Sequence, residues 1–319
     1  MNTSTVETRS KTFPPHLPVK YPGAKQAPAV PRGVSGQFNR SFDDRLWLFT
    51  RQWEPPDDQP VKATLIINHG TVDHSGAYQE LGERLAREGI AVFASDMRGW
   101  GLSDGEPMYM NEMETFVRDV VSHYERIHRS DRHGRVRYRF VLGKSIGGLI
   151  GAMTVASHPD LFSGLIGLSG VFKIDPAQVP PEPVVAILRL LARIFPKKGF
   201  RRPFDPKLIT SDPEALRKWE QDPLASKQKL TFAYAMEFLR CQALLPELVP
   251  AIKIPMLMQW GSEDKVATLA GHKMMIEDSG STDTTLKIYE GGYHNLLSEP
   301  ALKDQVMTDV QEWIIGRSQ

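Results

Sequence analysis

Apolar positions along the chain change period again and again, and the changes divide it into strand-like and helix-like blocks. "RLWLFTRQW" (45–53) reads as an early strand, and "KATLIINHG" (62–70) is apolar throughout its middle, as a strand covered on both faces is. "GAYQELGERLAREG" (76–89) spaces Tyr78, Leu81, Leu85 and Ala86 along one side of a helix, and Gly89 can end it. "IAVFASD" (90–96) returns to strand, "METFVRDVVSHYERIH" (113–128) to helix, and "YRFVLG" (138–143) to strand. "IGGLIGAMTVASH" (146–158) predicts a helix and "LIGLSG" (165–170) a strand.

The rhythm then lapses. From Val171 to about Pro250 the pattern predicts helical segments broken by prolines and no strand. It resumes with strands at 254–261 and 284–291 and helices at 270–280 and 301–317. Strands alternating with helices predict an α/β fold, a mostly parallel sheet with helices on both faces. The organisation expected is an N-terminal arm at 1–40, a core formed by 41–171 and 251–319, and a helical cap inserted at 172–250.

Composition narrows the partners. The 319 residues are 41% hydrophobic and 24% charged, with a formal net charge of +1, so no global field draws the chain to nucleic acid. The arginine-rich "RIHRSDRHGRVRYR" (126–139) precedes a strand, on the sheet side away from a ligand crevice, and reads as a solvated loop. One cysteine, Cys241, can form neither an internal disulfide nor a cysteine-based metal site, which points to a reducing, cytoplasmic setting. No apolar run approaches the roughly 18 residues of a membrane span. Residues 1–40 hold six Lys/Arg against the single acid Glu7, faintly like an organelle transit peptide. Six prolines between Pro14 and Pro31 oppose an amphipathic helix there, and an untargeted arm is the reading preferred.

The chemistry concentrates at "GKSIGG" (143–148), which stands between a predicted strand and a predicted helix. G-x-S-x-G in that context is a nucleophile elbow, where small neighbours let the chain turn sharply and lift Ser145 above the sheet. A serine hydroxyl needs a base, and this fold requires an acid and then a histidine later in the chain, each at a strand end. "GSEDK" follows one late strand and "GGYHN" the next, which supplies Asp264 and His294 in that order. Glu263 adjoins Asp264, and the aspartate is preferred on motif position. His272, His158 and His123 fall on predicted helices, and Asp96 is expected to organise its turn with Arg98. An acyl-transfer oxyanion needs preorganised donors. The amide of Ile146 is one candidate, and that of Thr71, in the turn after "TLIIN", is the second, with His69 shaping that turn.

"HGTVDHSGAYQELGERLAREGIAVFASDMRGWGLSDG", "GKSIGG", "GSEDK" and "TLKIYEGGYHNLLSEP" together resemble the monoacylglycerol lipases of the α/β-hydrolase superfamily, from about Leu46 to the C-terminus. The resemblance implies a Ser145–His294–Asp264 triad, an oxyanion hole at Thr71 and Ile146, and a mobile cap over an acyl tunnel. It also implies hydrolysis of monoacylglycerol to fatty acid and glycerol without cofactor or metal. The family elbow often reads G-H-S-M-G, whereas Lys144 and Ile146 stand here. Glycerol-contacting positions of animal relatives correspond to Asp73, Ala77 and, just before "DPL", Trp219. A lysophospholipase or broad carboxylesterase would carry the same triad, and a ligand-sensing receptor could retain the fold. Within the cap, "VVAILRLLARIF" (184–195) is apolar nearly all round as a helix. It must be buried or meet something other than water, so peripheral membrane association through the cap is an expectation alongside simple packing on the core.

Overall fold

The computed structural model describes residues 24–319. The question of a targeting segment falls largely on residues 1–23, outside the described residues. The strands are β1 (Gln37–Arg40), β2 (Trp47–Trp53), β3 (Ala63–Asn68), β4 (Ile90–Ser95), β5 (Tyr138–Lys144), β6 (Gly164–Leu168), β7 (Gly199–Arg201), β8 (Leu230–Thr231), β9 (Met256–Gly261) and β10 (Thr284–Tyr289). Eight of them form one sheet in the order β1-β2-β4-β3-β5-β6-β9-β10. The run from β4 to β10 is parallel, and only β1 and β2 enter antiparallel.

Side chains on successive strand residues point to opposite faces, so each central strand feeds two cores. Ile66 and Val141 face one side, with α2 (Met113–His128) and α3 (Ile146–Ser157) packed there. Leu65, Ile67, Phe140 and Leu142 face the other, against α1 (Gln79–Arg87) and α8 (Lys303–Gly316). All six residues of β3 are buried, which is why its sequence shows no polar alternation.

The sequence pattern matches these core elements to within a few residues and misses three short ones. β1 lies inside the segment read as an arm: Gln37–Arg40 pairs with Trp47–Thr50, so the sheet begins four residues before residue 41. β7 and β8 form a two-stranded ribbon in the stretch expected to hold no strand. At three and two residues they are too short to display a period.

Between β6 and β9 the chain forms α4 (Glu182–Ile194), β7, α5 (Pro213–Gln221), β8 and α6 (Phe232–Leu248). The ribbon is tightened by Phe200 stacked on Phe232, with ring centroids 4.6 Å apart. α7 (Leu269–Glu277) follows β9, which restores the strand–helix alternation.

Candidate active site

Three glycines surround Ser145 because backbone, and not side chain, occupies the space beside it. Ser145 has φ 54° and ψ −120°, a strained conformation for a non-glycine residue. A Cβ on Gly143 would lie 2.1 Å from the Gly147 carbonyl oxygen, and one on Gly147 would lie 2.1 Å from that of Asn68. On Gly148 it would come within 3.0 Å of Gly170 Cα. The first turn of α3 therefore presses directly on the ends of β3 and β5. The Ser145 amide donates to Leu168 O at 3.1 Å, and its carbonyl accepts from Gly148 and Val171. The strain is held in place from several sides.

The late strand ends bring the partners. His294 Nε2 lies 3.0 Å from Ser145 Oγ, and His294 Nδ1 lies 2.8 Å from Asp264 Oδ2. Asp264 Oδ1 accepts the amides of Val266 (2.8 Å) and Ala267 (2.9 Å), so both carboxylate oxygens are engaged. Neighbouring Glu263 is exposed and pairs with Lys265 at 3.4 Å. A hydroxyl in this setting can pass its proton to Nε2, and the buried carboxylate fixes the tautomer that leaves Nε2 free to accept it. Ser145, Thr71 and Ile146 share the wall of one cavity of about 170 Å³. Ile146 is the first residue of α3, where amides lack intrahelical acceptors and the helix dipole favours negative charge.

Among the described residues, His69 and His272 have their rings committed elsewhere. His69 Nδ1 donates to Gly70 O at 2.8 Å, and Nε2 accepts the Met97 amide at 2.9 Å, so it ties the turn after β3 to the one after β4. Burial lowers its pKa. His272 accepts the Gly170 amide at Nε2 and donates from Nδ1 to Thr268 O, and burial pushes its pKa down to about 4. Asp96 departs from expectation. Its oxygens accept the Ser75 and Leu102 amides, while Arg98 instead makes a two-bond contact to Asp119 at 2.7 and 2.9 Å. Arg98 is drawn to α2, and Asp96 is left to cap two loops.

The segment between β6 and β9 reaches the site at several points that the sequence pattern did not single out. Phe204 packs edge-on to the His294 ring at 6.1 Å, and Tyr234 Oη pairs with Thr71 Oγ1 at 2.8 Å. His74 accepts the Gly76 amide at Nδ1 and donates from Nε2 to Asp222 Oδ2 at 2.9 Å, which joins the loop after β3 to the end of α5. That bond raises the pKa of His74 against the opposing pull of burial. Asp73 and Trp219 line a second cavity of about 410 Å³ with Lys144 and Asn295. Trp219 Nε1 donates to Val72 O at 3.2 Å, so it offers this cavity an apolar wall. Asp73 Oδ2 accepts from Lys144 Nζ at 2.6 Å, while Ala77 adds only a methyl group.

α4 is less buried than a core helix. Val185 is its one buried side chain, whereas Val184, Ile187, Leu190, Ile194 and the following Phe195 are exposed. Leu188 lines the cavity of Ser145, while Arg189 and Arg193 turn into a groove against α6. Among the described residues no helix is long and apolar enough to cross a membrane, and no group of three or more His, Cys, Asp or Glu side chains could hold a metal ion.

Comparison with known proteins agrees with this geometry. The Hydrolase_4 family, described as serine aminopeptidase, S33, matches residues 59–301. The chain is 31% identical to a monoglyceride lipase of Mus musculus over 275 residues, 86% of this chain and 88% of that protein. It is 30% identical to a monoacylglycerol lipase of Mycolicibacterium smegmatis, over 82% of this chain and 90% of that one. A solved monoglyceride lipase of Saccharomyces cerevisiae, a soluble variant in complex with a substrate analog, superposes with a TM-score of 0.79 at 22% identity, covering 92% of this chain and 99% of that one. The chain belongs to the Hydrolase_4 family and is a monoacylglycerol lipase-like serine ester hydrolase of the α/β-hydrolase superfamily.

Proposed function

We propose that the protein cleaves monoacylglycerol to a fatty acid and glycerol through an acyl-enzyme on Ser145. The observation that carries this reading is the hydrogen-bonded chain Ser145–His294–Asp264 opening on an apolar cavity. Phe200, Phe204, Leu230, Tyr234, Phe238 and Leu239 contribute to that cavity, which suits an acyl chain. Among the described residues its charged lining is Lys173 and Arg201, with no carboxylate. An aminopeptidase must neutralise the α-ammonium of its substrate, so this lining favours acyl esters over peptides with a free amino terminus.

In the proposed reaction Ser145 Oγ attacks the ester carbonyl as its proton moves to His294 Nε2. The carbonyl oxygen, now anionic, is met by the Thr71 and Ile146 amides. The intermediate collapses, the C–O bond to glycerol breaks, and His294 returns the proton to the departing alkoxide. Water then attacks the acyl carbonyl, again giving its proton to Nε2, and the fatty acid leaves as Ser145 regains its hydrogen. Asp264 stays ionised and holds the imidazole throughout. No step requires a cofactor or metal. Asp73 and Trp219, which line the second cavity, are the proposed contacts for the glycerol.

The exposed apolar side of α4 is the proposed site of contact with a lipid surface, followed in the chain by the exposed Lys197, Lys198, Arg201 and Arg202 for anionic headgroups. Docking there would place the cap where long-chain substrates reside. Side-by-side rates on a long-chain monoacylglycerol, a lysophospholipid, a short p-nitrophenyl ester and an amino-acid anilide test the whole reading. Highest kcat/KM on the monoacylglycerol is expected. Preference for the lysophospholipid or the anilide would replace it.

A further inference from the structure

Lys144 ends β5 and directly precedes Ser145. Its ammonium donates to Asp73 Oδ2 at 2.6 Å, and the two side chains are only 4% and 8% exposed. Asp73 closes a tight turn, its amide donating to Gly70 O at 3.1 Å, and Thr71 lies inside that turn. The ion pair therefore joins the strand end that bears the serine to the turn that bears one of the two candidate oxyanion donors. The carboxylate has little freedom: a Cβ on Gly70 would lie 3.1 Å from Asp73 Oδ2 and 3.3 Å from Ser145 Cβ. Burial penalises the Asp73 charge, and the adjacent Lys144 more than offsets it, so the carboxyl titrates below its ordinary value.

Stability is a weak reason for such a pair, because an apolar pair of similar volume commonly serves a core as well or better. Its placement offers a stronger one. An oxyanion hole works only if its donors already stand at the right separation when charge develops. Ile146 is fixed by α3 and the glycine contacts of the elbow, whereas Thr71 sits on a loop and needs a tether to the same strand end. Thr71 Oγ1 is held by Tyr234 of α6, and its carbonyl accepts from Trp100 Nε1 at 2.5 Å, but neither contact joins the turn to the strand end that bears Ser145. The Lys144–Asp73 pair supplies the tether from within the sheet.

We propose that Lys144 and Asp73 are positioning residues that lock the Gly70–Asp73 turn to the elbow and so fix the spacing of the Thr71 and Ile146 amides. The proposal rests on the reading of Ser145 as nucleophile and of those two amides as oxyanion donors. Neither side chain touches the reacting atoms. The competing role is contact with the alcohol alone, since both residues line the cavity that also holds Trp219.

The test is the double variant Asp73→Asn/Lys144→Met, which removes both charges and leaves no buried ion unpaired. With a short soluble ester, kcat is expected to fall about 10- to 100-fold, the scale of a misplaced reacting group, with KM within about threefold. Affinity for a trifluoromethyl ketone, which forms a tetrahedral oxyanion on serine, should fall in parallel, while inhibition by the free fatty acid stays as in the parent. A parent-like melting temperature separates this loss from misfolding. Parent-like kcat would overturn the proposal, as would a raised KM at unchanged kcat, which would assign the pair to the alcohol alone. Should the double variant fail to fold, Lys144→Gln, which keeps a donor of shorter reach, is judged by the same split. A parent enzyme inert toward all esters would instead refute the underlying reading.

Discussion

Asp264 divides its two oxygens between His294 and its own loop: Oδ2 accepts the Nδ1–H at 2.8 Å, and Oδ1 accepts the amides of Val266 and Ala267. The division sets the outcome of Asp264→Asn. The amide oxygen would keep the two backbone donors, which turns the NH2 toward His294 Nδ1. That nitrogen must then accept, so Nε2 carries the hydrogen and cannot take the Ser145 proton. Loss in kcat is expected on the order of 10⁴, with little change in KM. Steady-state kinetics with a soluble ester check it, and a loss below tenfold would remove Asp264 from the proposed role.

The glycine contacts predict which elbow substitutions fail. Gly147→Ala drives a methyl group against Asn68 O at 2.1 Å, and backbone on both sides cannot yield cheaply. Activity should be abolished and the melting temperature lowered by several degrees, with overpacking costing about 1–3 kcal/mol or more. Gly316→Ala, where nothing lies within 4 Å, is the control and should leave both unchanged. Calorimetry and ester turnover on the two variants decide the matter.

Acid should unfold the protein through histidines that are buried neutral. Burial holds His123 down to about 3 and His272 to about 4, against 6.5 in the unfolded chain. The unfolded state thus binds more protons below pH 6.5. The stability these groups contribute is complete above that pH and is lost as pH falls toward 4, by about 2 kcal/mol each at pH 5. The melting temperature should drop between pH 7 and pH 5. His123→Gln, which keeps a polar partner for Ser95, should shrink that drop, and an unaltered drop would contradict the assignment.

Lipid docking through α4 is tested by Ile187→Ser/Leu190→Ser, at positions 59% and 55% exposed. Leu191 is half-buried and would confound the test. Sedimentation with anionic vesicles and hydrolysis of a long-chain ester presented in them should weaken, while turnover of a short soluble ester changes little. Equal losses on both substrates would make α4 purely structural.

The candidate residues that the sequence offers and the structure brings together are those that chemistry demands at a strand end. Ser145, Asp264 and His294 could be picked out because each follows an apolar run and a glycine turn. The sequence did not reveal pairings between residues far apart in the chain. Lys144 meets Asp73 across 71 residues and His74 meets Asp222 across 148, and a polar side chain carries no mark of its eventual partner. Arg98 shows the same limit, since proximity in sequence suggested Asp96 and the fold delivers Asp119. The exposure of α4 was open for a related reason: an all-round apolar helix reads the same whether it is buried or waiting for a lipid surface.

The central claim is that Ser145 carries the acyl group, and intact-mass analysis after treatment with a fluorophosphonate measures that most directly. The parent protein should gain one adduct, mapping to the peptide that contains Ser145. Ser145→Ala should gain none, keep its melting temperature within a few degrees, and lose turnover by roughly 10⁴-fold or more, the residue being what binding and the oxyanion donors alone supply. Full labelling of the alanine variant, or an adduct mapping to another residue in the parent, would contradict the account.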